Sequence, residues 1–178
     1  MDVPLVIVAI AISIGVIAAG TLLYFNPAIT GILGEPEDQY QELGMSQEVR
    51  SGSNGYPQVN VMVNGLTLVA DIAATDEQRT KGLSVKDRLA ENEAMLFVFD
   101  SEAKHAFWMK DMKFPIDIIW IDTDKTVVHI EHNLQPCSSE FLCPTYHPID
   151  DSRYVLETVG GFAERYDIVK GTMVEFEL

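Results

Sequence analysis

The chain has 178 residues and carries 12 Lys and Arg against 27 Asp and Glu, a formal charge of −15. That balance excludes the basic footprint with which a nucleic-acid binder neutralises phosphates, and it argues equally against docking on anionic lipid head groups. The length allows one membrane segment and one domain of ordinary size.

Residues 3–25 are apolar or small, interrupted by Ser13 and Thr21 and the glycines Gly15 and Gly20. A run of about 20 such residues spans the hydrocarbon core as a helix, so residues 1–25 are read as a transmembrane anchor. Asp2 stands where a secretory signal has its basic start, and the run is longer than a signal's apolar region. Ala18-Ala19-Gly20 still offers a peptidase site, so cleavage is the alternative. Residues 26–56 are rich in Gly, Pro, Ser, Gln and acid, with Glu35, Glu37, Asp38, Glu42 and Glu48 against the lone base Arg50. Such a segment has too little apolar surface to fold and reads as a flexible acidic stalk. With no basic residue before Arg50, charge bias barely weighs on orientation. The two cysteines favour a single-pass protein of the cell membrane whose soluble domain, residues 57–178, faces outside the cytoplasm.

The soluble part opens with two alternating runs, Val59-x-Val61-x-Val63 and Leu66-x-Leu68-x-Ala70-x-Ile72, joined by Asn64-Gly65. This is a hairpin signal, since both turn positions need positive φ. Thr75 and Gln78 form the pattern of a capping box, opening a helix that runs to about Lys81 and stops at Gly82. Residues 83–93 read as a polar connection. Met95 to Phe99 is a continuous apolar run, a central strand buried on both faces, and Asp100-Ser101-Glu102 has turn composition. His105 to Lys110 is predicted as a strand with Ala106, Trp108 and Lys110 on one face and Phe107 and Met109 on the other. Pro115 interrupts it, and Ile116 to Ile121 resumes, with Ile116, Ile118 and Trp120 opposite Asp117, Ile119 and Ile121. A turn at 122–125 leads back through Thr126 to Ile130. Residues 135–151 are loop-like; Arg153 to Val159 is a strand; Gly160-Gly161 ends it before one or two helical turns; residues 171–178 close the chain as a strand. The fold class is mainly β, α+β by strict count, arranged as a small closed or half-closed barrel with one or two short helices.

Cys137 and Cys143 are separated by five residues, neither a redox C-x-x-C nor a zinc-knuckle spacing. A disulfide closing a small loop is the leading reading, with redox or metal chemistry and free thiols as alternatives. His129, Glu131, His132 and His147 lie near them in sequence, but alternation places His132 opposite His129 and Glu131, so no metal site or cofactor is expected. No nucleophile motif or phosphate loop occurs. Charges flanked by apolar residues are more telling: Lys110, Asp117 and Glu157 either face solvent on wet strand faces or converge with Arg79 in a polar pocket at the barrel mouth.

Arg79-x-x-Gly82-Leu83, Met95 to Phe99, Phe107-Trp108-Met109-Lys110 through Pro115-Ile116-Asp117-Ile118, and Tyr154 to Glu157 with Gly161 and Glu164-Arg165 occur in that order. Together they resemble the family called domain of unknown function 192, over essentially the whole soluble part. The resemblance implies a compact, mainly β fold whose short helix carries the Arg-x-x-Gly-Leu motif. Many members of that family have an N-terminal signal or anchor. It singles out Arg79, Gly82, Trp108, Met109, Lys110, Asp117, Glu157 and Gly161 and names no activity. The chain departs from the family at Ser84, Ala94 and Asp111-Met112. The expected function is a membrane-anchored exterior module that binds a small ligand or protein, through a pocket of Arg79, Trp108, Lys110, Asp117 and Glu157. The alternatives are a hydrolase or carbohydrate-processing enzyme using Glu157 or Asp117 as acid or base, and an accessory subunit of a membrane complex.

Overall fold

The computed structural model describes residues 50–52, 55–138 and 142–178; the anchor expected over residues 1–25 and most of the expected stalk lie outside them. Among the described residues no helix is long and apolar enough to cross a membrane. β1 (Arg50–Ser51) pairs antiparallel with β2 (Pro57–Val63), so the end of the segment expected as stalk is part of the sheet, and Tyr56 is buried. β2 turns into β3 (Leu66–Ala73) through Asn64 and Gly65, whose φ values of 47° and 78° are the left-handed pair that such a turn requires.

β3 runs parallel to β4 (Glu93–Ala103), and a parallel pair needs a crossover. The crossover holds α1 (Asp76–Lys81) and a 3₁₀ turn (Gly82–Val85). The capping box at α1 is formed as expected: Gln78 N–H donates to Thr75 Oγ1 at 3.2 Å, and Gln78 Oε1 accepts from Thr75 N–H at 3.1 Å. Asp100-Ser101-Glu102, expected as a turn, instead continues β4 beyond a register shift between Val98 and Ala103. A bulged strand can carry polar residues through a bend without ending.

The strand expected over His105–Lys110 is also shorter. Only β5 (Phe107–Trp108) forms, and it pairs outside the main sheet. β6 (Ile116–Ile121) and β7 (Val127–Leu134) make the second hairpin. The stretch expected as loop contains β8 (Thr145–Tyr146), the partner of β5. β9 (Ser152–Val159) lies between β4 and β6, α2 (Phe162–Arg165) follows, and β10 (Val174–Glu175) is the short remnant of the expected closing strand. The main sheet runs β1-β2-β3-β4-β9-β6-β7, with β10 also on β2, and curls into a half-barrel.

Two apolar clusters cover the two faces. Val61, Leu68, Leu96, Ile119, Ile121, Leu156 and Phe162 fill one side. Leu83, Met95, Phe97, Met109, Ile118, Trp120 and Val155 fill the other, under the crossover and the β5–β8 pair. Every residue of β6 is buried, because both its faces are roofed.

Candidate functional site

On the second face a cleft of about 370 Å³ opens between α1, the 3₁₀ turn, the end of β4 and β5. Glu157 is at its floor. Its ladder neighbours are Met95 and Ile118, both apolar and fully buried, and its own residue exposure is 4%. Carboxyl oxygen Oε2 has no hydrogen-bond partner among the described residues. Loss of water without a compensating donor disfavours the charged form, and burial pushes the Glu157 carboxyl up to about 8. At neutral pH it is therefore mainly an acid with a proton to give.

Arg79 forms part of the wall. Its Nη1 donates to Ala74 O at 2.5 Å and Val98 O at 2.8 Å, and Nη2 donates to Asp76 Oδ1 at 2.6 Å. The guanidinium also stacks 5.3 Å from the Phe99 ring centroid. One arm of the fork thus ties α1 to two backbone carbonyls, while the other holds Asp76, a residue almost wholly in solvent. Gly82 sets the helix end: φ is +48°, ψ is −145°, and a Cβ there would come within 3.3 Å of the Phe97 ring. That backbone region is essentially glycine-only, so the Arg-x-x-Gly spacing brings the last turn of α1, which carries Arg79 and Lys81, down onto the aromatic wall.

Trp108 and Lys110 also line the cleft. Trp108 is 53% exposed, whereas Trp120 is fully buried and donates its indole N–H to His105 O at 2.9 Å. The Lys110 ammonium lies 5.7 Å from the Trp108 ring centroid, within cation–π reach. The segment is held by the disulfide loop. Cys137 and Cys143 are bonded, as the leading reading of their spacing expects. Cys137 N–H donates to Met109 O at 3.0 Å, and Cys137 O accepts from Asp111 N–H at 3.2 Å, bracketing Lys110.

Asp117 is elsewhere. It is fully buried on the other face, where Oδ1 accepts from Asn133 N–H at 2.6 Å and Gly161 N–H at 2.8 Å. Oδ2 accepts from Ala163 N–H at 2.7 Å. A carboxylate with three amide donors and a helix start beside it is satisfied where it stands. The structure thus brings Arg79, Trp108, Lys110 and Glu157 to one cleft and leaves Asp117 out. Nor do Asp117 and Glu157 face solvent, as the wet-face alternative had it.

Sequence reasoning missed Asp76, Lys81, Phe97, Phe99 and Phe107 as lining residues. Asp76 was within reach, because it lies three positions before Arg79 on the same helix face. It also missed buried Asp71, whose carboxylate takes Gln58 Nε2 at 2.7 Å and Lys86 Nζ at 3.0 Å. Among the described residues no group of His, Cys, Asp and Glu is arranged to hold a metal ion.

Residues 59–176 match the model of the family DUF192, described as uncharacterised ACR. The chain is also similar to the crystal structure of a protein of unknown function from Novosphingobium aromaticivorans, with 30% identity and a TM-score of 0.64 over 72% of this chain and 91% of that one. The crystal structure of a proposed transcription regulator from Sinorhizobium meliloti is similar too, at 28% identity and TM-score 0.62 over 68% of this chain and 95% of that one. Among curated proteins, none matches. The matched span takes in α1, β4, β5 and β9, so the cleft is built wholly from it, and the chain belongs to the DUF192 family.

Proposed function

We propose that the protein is a membrane-tethered, outward-facing binding module whose ligand occupies the cleft of Arg79, Trp108, Lys110 and Glu157. The observation that carries this reading is the enclosed Oε2 of Glu157, which has no hydrogen-bond partner among the described residues and lies at the floor of a cleft walled by aromatics. A buried polar atom of this kind costs stability, roughly 1–3 kcal/mol, unless something satisfies it. A concave, largely preformed site with a few convergent polar groups is the form that small-molecule sites take. Exposed Trp108 adds an apolar ring that no described residue covers fully.

Binding fits better than acid–base hydrolysis. A two-carboxylate mechanism needs both groups on one substrate, and Asp117 is held by three amides on the opposite face. The tether rests on the apolar run at residues 3–25, and the outward placement on the disulfide, which persists in oxidising surroundings.

Trp108 supplies the test of the site. Fluorescence of the full chain in detergent is followed while a panel of small metabolites is added, in wild type, Glu157→Gln and Lys110→Met. A ligand that perturbs the wild type and is weakened by both substitutions is expected; ligands unaffected by either contradict the site. For placement, protease added outside sealed cells is expected to degrade the domain, and full protection contradicts it.

A further inference from the structure

Charge in the cleft runs against the charge of the chain. Arg79, Lys81 and Lys110 line it, three of the 12 basic residues, whereas only Asp76 and Glu157 of the 27 acids do so. Asp76 is in solvent against Arg79, and Lys81 pairs outward with Glu77 at 2.7 Å. Lys110 meets the Trp108 face and, among the described residues, has no ion-pair partner. A carboxyl at the floor, enclosed by Met95 and Ile118, completes a site with cations at the rim, rings on the walls and a neutral donor at the base.

Resting on the binding reading above, we propose that the ligand is a small ring-bearing oxyanion, a carboxylate or phosphate monoester. Its charged group is held by Lys110 in the field of Arg79, whose Nη atoms stay on Ala74, Val98 and Asp76, its ring lies along Trp108 and Phe107, and one of its oxygens accepts a hydrogen bond from the Glu157 carboxyl. A cation would face Lys110, which has no ion-pair partner among the described residues, beside Arg79 and Lys81, which are paired only with the exposed Asp76 and Glu77. A neutral ring would leave Lys110 unused. An oxyanion complements all three features, and the hydrogen bond from acid to anion is of the strong, charge-assisted kind. The same geometry makes binding depend on pH. The charged groups facing Glu157 across the cleft are Asp76, Arg79 and Lys81 from the crossover and Lys110 beyond β5; its ladder neighbours carry no charge. When Glu157 ionises, the donor is lost and a second negative charge confronts the ligand.

The experiment uses four matched probes on the full chain in detergent: benzoate, phenyl phosphate, benzyl alcohol and benzylamine. Trp108 fluorescence is the readout, and Trp108→Phe is the blank for probe in micelles. Benzoate or phenyl phosphate is expected to bind at least tenfold more tightly than the other two at pH 6.5, and the stronger of the pair identifies the anion. Affinity is expected to fall roughly tenfold by pH 9, since the carboxyl titrates near 8. The pH profile is expected to be flat in Glu157→Gln, which separates Glu157 from any lysine titration. Lys110→Met is expected to weaken the oxyanions tenfold and leave benzyl alcohol unchanged, with circular dichroism confirming that both variants fold. Equal binding of benzyl alcohol or benzylamine overturns the ligand class and leaves the cleft as a site. The same fall with pH in Glu157→Gln overturns the role of its proton. Silence from all four probes contradicts the binding reading itself.

Discussion

Asp117 and Glu157 stand on neighbouring strands one ladder position apart, yet their carboxyls lie on opposite faces of the sheet. The ladder pairs Asp117 with Thr158 and Ile118 with Glu157. Alternation carries the first carboxyl to the start of α2 and the second to the cleft. One meets three amide donors and is satisfied; the other has an oxygen with no partner among the described residues. The same residue class, a step apart, thus serves architecture in one case and a candidate site in the other.

Asp117→Ala is expected to strip three N–H groups of their acceptor, that of Ala163 in a buried bond and those of Asn133 and Gly161 in partly buried ones. At roughly 1–3 kcal/mol for the buried group left unpaired and less for the two that water can reach, the loss of stability should be about 2–4 kcal/mol. Urea denaturation measures it, and a loss below about 1 kcal/mol would show that water or a neighbour replaces the carboxylate.

Glu157 links stability to pH in the direction opposite to a salt-bridged acid. Its folded carboxyl titrates near 8, against an ordinary value of 4.5. Between those values the folded chain holds a proton that the unfolded chain releases, so stability falls as pH rises from about 4.5 to about 8 and is level beyond. The span is worth several kcal/mol at most. Glu157→Gln is expected to remove this slope and to exceed wild type in stability at pH 9; parallel curves for the two proteins would contradict it.

Gly82→Ala is expected to cost about 1–3 kcal/mol, because it forces a non-glycine residue into a glycine-only backbone region and presses a methyl on the Phe97 ring. Thermal unfolding reports the loss. Since Gly82 ends the helix that carries Arg79, affinity for the tighter oxyanion probe should fall as well. Unchanged melting would mean that the end of α1 relaxes freely.

Breaking the disulfide with paired Cys137→Ser and Cys143→Ser is expected to cost about 2 kcal/mol for so short a loop. The effect reaches the cleft through the two backbone hydrogen bonds that bracket Lys110. Trp108 fluorescence should shift towards that of a solvent-exposed indole. An emission spectrum identical to wild type would separate the loop from the wall.

Much of the architecture was legible in the residues, and for physical reasons. Asn64-Gly65 between alternating runs, the Thr75–Gln78 capping box and the cysteine pair are local devices, and each formed where its chemistry places it. What could not be read is what covers a strand's second face. Period-two alternation puts Asp117 and Trp120 on opposite sides of β6, but it is silent on the fact that both sides are roofed. For that reason solvent exposure and burial remained open for Asp117 and Glu157 alike. Asp100-Ser101-Glu102 reads as a turn by composition, and only the tertiary pairing of Ala103 with Ser152 keeps the strand going.

The central claim is that Glu157 is a neutral acid at the floor of a ligand cleft. Its carboxyl carbon, observed by NMR in protein labelled at glutamate and assigned by its absence from Glu157→Gln, tests this most directly. A titration midpoint near 8 that moves higher when the tighter oxyanion probe is bound is the expected result. A midpoint near 4.5, unmoved by either oxyanion, would contradict it.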